Sequence, residues 1–231
     1  MLGNAAFRHA VRAELAQPAV FRLFNGEWDK VHVVEVAHST HAALEQQSIA
    51  QIASATGRDA LDVMLDLALQ EDLRTVFTAL LLNSDEEAVG RMLRHPNSLV
   101  SLSDAGAHLT FFNDAGFGLH LLGHWARDLA AITLPQAVQM LTQRPAQILG
   151  LQGRGEIREG FAADLLLFDP ATVGRGPKRR VFDLPGGAPR LHTDGVGVHG
   201  VWVNGQMVAD AQGLRADVQT PGQILRPAAA A

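Results

Sequence analysis

The run Thr-Val-Phe-Thr-Ala-Leu-Leu-Leu at 75–82 narrows most sharply what this chain can fold into. It has strand length and lacks the polar alternation of a half-solvated strand, so it needs cover on both faces. Helix-forming stretches flank it. Before it, Val31-His-Val-Val-Glu-Val36 reads as a short buried strand. Ser48 then caps a helix over 49–56 that Gly57 stops. Asp59 caps the next, with Leu61, Met64, Leu65, Ala68 and Leu69 at helical spacing. After it, Ser84 or Asp85 starts a helix through Met92 and Leu93, and Pro96 ends it. Residues 98–102 predict another buried strand, leading straight into Ser103-Asp-Ala-Gly-Ala-His108. Strand, helix and strand joined by short loops predict parallel β/α units.

Further helices are expected over 119–131, over 133–143 with Thr133 capping and Pro135 in the first turn, and from Arg144 to Leu149. Residues 1–28 read as a helix and a turn. The character changes after Gly150. A strand is expected at 164–169, an irregular Gly/Pro loop at 181–189, and a hairpin of 198–203 with 206–208 turning on Asn204-Gly205. The expected fold class is α/β. Residues 1–153 hold C-terminal units of a TIM-like (β/α)8 barrel, because about three strands cannot close eight. Part of a small β-sandwich follows at 154–217, then a tail at 218–231.

The net charge of −5 is spread along the chain, so no basic stripe points to nucleic acid. There is no cysteine, which excludes disulfides, thiolate metal sites and a cysteine nucleophile within these residues. The first residues lack the long apolar core of a signal peptide. No apolar run approaches the roughly 20 residues needed to span a bilayer. A soluble, cytoplasmic protein is expected.

Chemistry concentrates at 103–108. A carboxylate just after a buried parallel strand lies at the carboxyl end of that strand, where barrel enzymes build their active sites. Gly106 and its small neighbours let the backbone turn and leave room for a ligand. Asp104 there can bind metal or move a proton; the alternative is a cap for the next turn. His108 lies close enough to face the same cleft, or packs in its loop. Asn83 follows the 75–82 strand and offers a substrate contact or a helix cap. His120 and His124 have the i, i+4 spacing of a metal pair, but packing beside Trp125 is the simpler reading. His38 lies just beyond the first strand, and His95 is assigned a structural role. No histidines are spaced His-x-His.

Three stretches together resemble the closing part of amidohydrolase-superfamily enzymes. They are Thr142-Gln-Arg-Pro-Ala-Gln-Ile-Leu-Gly-Leu151, Gly153-Arg-Gly-Glu-Ile-Arg-Glu-Gly160 and Ala163-Asp-Leu-Leu-Leu-Phe-Asp169. Val201-Trp-Val-Asn-Gly-Gln-Met-Val208 resembles the hairpin that closes their β-sandwich. Leu-Leu-Asn-Ser-Asp-Glu at 81–86, Arg-His-Pro at 94–96, 103–108 and 179–187 look most like the N-acyl-D-amino-acid deacylase branch. The chain departs from that branch after Asp104: such enzymes often carry His-Pro-Arg there, where this chain reads Leu109-Thr-Phe-Phe-Asn-Asp114.

The resemblance implies zinc-dependent hydrolysis of an N-acyl-D-amino acid, with a small-molecule substrate and neither nucleic acid nor membrane as partner. Metal-bound hydroxide attacks the acyl carbonyl, and Asp104, also a candidate metal contact, carries the proton to the leaving amine. Ser103, Gly106, His108 and Asn83 become substrate contacts. The family's His-x-His and its other metal ligands have no match here, so the isolated chain is expected to retain no zinc and no activity. Two alternatives stay open: a cyclic-amide hydrolase of hydantoinase or dihydroorotase type, and an inactive fragment or interaction module. An exposed edge on the 31–36 strand would favour self-association.

Overall fold

The computed structural model describes residues 1–17, 19, 22–103, 108–111 and 113–226. Packing divides the chain into two units, Met1–Glu86 and Glu87–Ala231.

In the first unit, helix α1 (Ala5–Leu15) is capped by Asn4, whose side chain accepts from Phe7 N. Charge fixes it to a second helix, α3 (Ala60–Gln70): Arg8 reaches Asp62 at 2.9 Å and Asp66 at 2.5 Å, and Arg12 reaches Asp59 at 2.8 Å. Between them lie strand β1 (Val31–Glu35) and helix α2 (Ile49–Thr56). The expected caps form. Ser48 and Gln51 make a reciprocal capping box, Gly57 ends α2 in the left-handed region, and Asp59 accepts from Asp62 N. Val31, Val33, Ile49, Ile52, Val63 and Leu67 form the core. Val33 and Ile49 are fully enclosed, each contributing about 1.5–3 kcal/mol.

Strand β2 (Val76–Ala79) falls inside the expected 75–82 run, but it pairs antiparallel with β1, Val33 opposite Phe77. The expected parallel relation of these strands is therefore corrected. One crossover helix returns the chain to its starting end and yields a parallel neighbour. Here two helices in succession, joined by a short turn, bring it back to the end it left. The other edge of β1 is also occupied: Val33 N donates to Gln47 O at 3.0 Å and Gln46 N to Val33 O at 2.8 Å. That edge, where self-association was expected, is occupied at Val33 by the 46–47 segment.

The second unit begins with α4 (Glu86–Arg94), whose first residue belongs to the first unit. Residues 98–102, expected as a strand, form no ladder, and Leu102 is 78% exposed. Without a neighbour among the described residues their backbone groups have no strand to bond. The 119–131 helix appears as α5 (Phe117–His120) running into a π-helical segment, Leu121–Asp128. Then come α6 (Leu134–Leu141), with Thr133 and Gln136 in a capping box and Pro135 in the first turn, and α7 (Gln143–Ile148). Leu121, Leu122, Trp125, Ile132, Ala137, Met140 and Val173 are its core. Thr133→Ala removes the cap oxygen from Gln136 N and should cost about 1 kcal/mol, read as a lower denaturant midpoint.

Strands β3 (Leu165–Phe168), β6 (Val198–Val203), β7 (Gln206–Asp210) and β8 (Gly213–Leu214) make an antiparallel sheet in that order. Asn204 and Gly205 both have positive φ, 49° and 82°, as a type I′ turn demands. A second antiparallel pair, β4 (Gly174–Val181) with β5 (Arg190–Val196), was not expected; it flanks the irregular Gly/Pro loop, which lies at 182–189 as the connection between the two strands. The order α/β then β-rich agrees with a mixed α/β chain. No helix among the described residues is long and apolar enough to cross a membrane.

Candidate functional site

Asp104 and Gly106 lie outside the described residues. Their neighbours are placed. Ser103 is half-buried at the end of the irregular 98–103 segment. His108 is exposed, its ring tilted against Phe111 with centroids 5.1 Å apart, and its carbonyl accepts from Phe111 N. Asn83 belongs to the first unit; it is exposed and left-handed, with φ of 51°. Next to it, Ser84 Oγ accepts from Lys30 Nζ at 3.0 Å.

The chain just beyond His108 is firmly tied. Asn113 is 3% exposed and donates through Nδ2 to Leu191 O at 2.9 Å, while its Oδ1 accepts from Ala115 N. Leu191 N donates to Leu109 O at 2.7 Å. Asp114 takes Arg175 at 3.1 Å and Lys178 at 3.3 Å. The β4–β5 hairpin thus holds Leu109, Asn113 and Asp114. The remaining cations of the hairpin are also engaged: Arg190 with Asp183 at 2.6 Å, Arg179 with Asp194 at 3.1 Å, and Arg180 over the Phe182 ring. Both carboxyls are held below the usual carboxylate range, Asp183 chiefly through Arg190, and Asp194 through His192 and then Arg179.

His120 and His124 stack in parallel, centroids 4.6 Å apart, and both meet the edge of Trp125. That is the packed helix face. His95 Nδ1 accepts from Asn97 N at 3.2 Å, a turn-stabilising role. Among the described residues no group of three or more His, Cys, Asp or Glu is placed to hold a metal ion.

One polar centre was missed by sequence reasoning. Glu71, the C-cap of α3, is fully buried. It accepts from Ala37 N, from His38 N at 3.1 Å and from His41 Nδ1 at 2.5 Å. Burial pushes this carboxyl up, but the His41 and backbone hydrogen bonds outweigh it and hold the group below its ordinary range. Its partners lie 30–34 residues away in sequence, so only an acidic residue closing an apolar helix marked it. A partly open cavity of about 250 Å³ lies elsewhere, between α6 and β3, where Leu122, Val138, Leu141, Ile157, Leu165 and Phe168 line it beside Glu156 and Asp164.

The model of the amidohydrolase family matches residues 5–209. An N-acyl-D-aspartate deacylase from Alcaligenes xylosoxydans xylosoxydans is 32% identical over 181 residues, 75% of this chain and 34% of that protein. A D-aminoacylase from the same organism is 38% identical over 110 residues, 48% of this chain and 20% of that protein. The crystal structure of an N-acyl-D-glutamate deacylase from Bordetella bronchiseptica, with zinc and a phosphonate mimic of the tetrahedral intermediate, is 28% identical. It superposes with a TM-score of 0.46 over 87% of this chain and 38% of that one. The matched part of the chain spans between 20% and 38% of the length of these relatives.

Proposed function

The chain belongs to the amidohydrolase family, and from that premise we propose that it is part of an enzyme that hydrolyses the amide bond of N-acyl-D-amino acids. The observation that carries this reading is the 32% identity to an N-acyl-D-aspartate deacylase over three quarters of the chain. Residues 1–153 are assigned to the barrel of that enzyme, 154–217 to its small β-domain and 218–231 to a tail. The change from mostly helical elements before Gly150 to the antiparallel β3–β6–β7–β8 sheet after it supports the boundary near 153.

Zinc enters as the cofactor of the whole enzyme, on the strength of the zinc in the deacylase relative. The described residues do not by themselves fit it, since they assemble no ligand group. Apart from Asp104, a candidate metal contact, the metal ligands are assigned outside this chain, and no step of the reaction is derived through them. What falls to this chain is proton transfer and placement. Asp104 takes the proton of the attacking water and delivers it to the leaving nitrogen. Ser103, Gly106, His108 and Asn83 are assigned to substrate contact.

The test has two arms. A protein carrying this segment together with a family His-x-His strand should, with zinc, release amine from N-acetyl-D-amino acids faster than from their L-enantiomers. Ring opening of a hydantoin or dihydroorotate with the N-acyl compounds untouched would overturn the deacylase reading. The 231-residue chain alone should bind less than stoichiometric zinc and hydrolyse neither class. Stoichiometric zinc with turnover would overturn the placement of the metal ligands.

A further inference from the structure

The strongest feature that this reading leaves unused is the buried Glu71. A carboxylate accepts only, with room for about four hydrogen bonds, and one loop supplies three donors: Ala37 N, His38 N and His41 Nδ1. That loop leaves β1 and is otherwise short of regular structure, apart from a 3-10 turn at Ser39–Leu44. Val36 N donates within it to Glu45 Oε1 at 3.0 Å. Glu71 is thus the attachment of the loop to α3.

We infer that Glu71 is a positioning residue that fixes His41 in its Nδ1–H tautomer, so that Nε2 carries the lone pair, while pinning the Ala37–His38 backbone. The chemistry follows from the donor set. An ionised carboxylate 2.5 Å from Nδ1 requires the hydrogen on that nitrogen. A neutral ring protonated there leaves Nε2 as the acceptor. Free histidine has no such constraint; the buried partner imposes it, as a second-shell carboxylate does at metal-bound imidazoles. The held below-normal range of Glu71 is consistent with an ionised partner. The His41 side chain remains 26% exposed. It lines a cavity of about 140 Å³ with Leu44, Ile52, Thr56, Arg58 and Gln70. The class of ligand that an Nε2 acceptor on this rim would take is a small N–H or O–H donor. The inference stands independently of the deacylase assignment, because every group in it lies within the first unit.

Nitrogen-15 NMR of the imidazoles in the 231-residue chain at pH 8 tests it directly. His41 should show a protonated Nδ1 and an unprotonated Nε2. In Glu71→Gln the amide can turn its NH2 toward Nδ1, and the Nε2–H tautomer should become the major form. Amide exchange at Ala37 and His38 should accelerate a few-fold, because their acceptor changes from a carboxylate to a neutral amide oxygen. A wild-type His41 that is mainly Nε2–H, or doubly protonated at pH 8, overturns the inference whatever the variant does. So does a folded Glu71→Gln with an unchanged tautomer and unchanged exchange. If the variant does not fold, the wild-type spectrum alone decides.

Discussion

Asp104→Asn, made in a protein that pairs this segment with the family's metal-binding strands, should lower turnover of an N-acyl-D-amino acid by about 10²–10⁴-fold, the usual contribution of a positioned acid–base group. Zinc content should stay at the parent level. The substitution separates the two readings of Asp104 unusually well. Asparagine is as good a cap as aspartate, and it has nearly the same shape. If Asp104 only closes a turn, the change costs almost nothing in stability or rate. If it carries the proton, the amide cannot take it, and the rate falls while the substrate contacts persist. Turnover within a few-fold of the parent, at matched zinc, would remove Asp104 from the mechanism. A simultaneous loss of zinc would instead place it among the metal contacts.

What could be seen of this fold beforehand was whatever is written within a few residues. Ser48, Asp59 and Thr133 are caps because each offers an oxygen to an amide three positions on, and all three form as expected. Asn204-Gly205 is a turn because both residues accept positive φ. What depends on distant partners was not visible. The direction of β2 against β1 is set by the number of helices between them, not by the composition of either strand. The β4 and β5 strands contain Gly, Pro and a run of cations, poor material for a sheet. They are held there by Asn113, Leu109 and Asp114, about 60–80 residues earlier. Glu71 reads as a charged helix end until its three donors arrive from across the unit. The candidate site shows the same division. The pattern at 103–108 was legible as a motif, whereas the hairpin's hold on Leu109, Asn113 and Asp114 is entirely a tertiary feature.

The same logic, local geometry set by a distant neighbour, predicts the largest loss of stability. Gly197 joins β5 to β6 with φ of +67°. Its carbonyl accepts from Asp169 N at 2.8 Å. A Cβ there would come within 2.6 Å of Thr172 Oγ1 and of Val173 N, and 2.8 Å from Thr172 C. Gly197→Ala therefore meets two penalties. The left-handed backbone costs about 1–2 kcal/mol for an L side chain. Overlap with a backbone that is itself packed, since Val173 is fully buried, adds about 1–3 kcal/mol. The sum, roughly 2–5 kcal/mol, is a large share of the 5–15 kcal/mol typical of a domain. Gly153 supplies the matched control: its φ is +68°, and a Cβ there meets nothing within 4 Å. Gly153→Ala should lose only the backbone share. Denaturant unfolding of the two variants separates the terms, because their difference is the overlap at Thr172 and Val173. Equal midpoints for Gly197→Ala and Gly153→Ala would mean that the 169–173 turn yields to the added methyl, and that the β-rich half is not held together by this close approach.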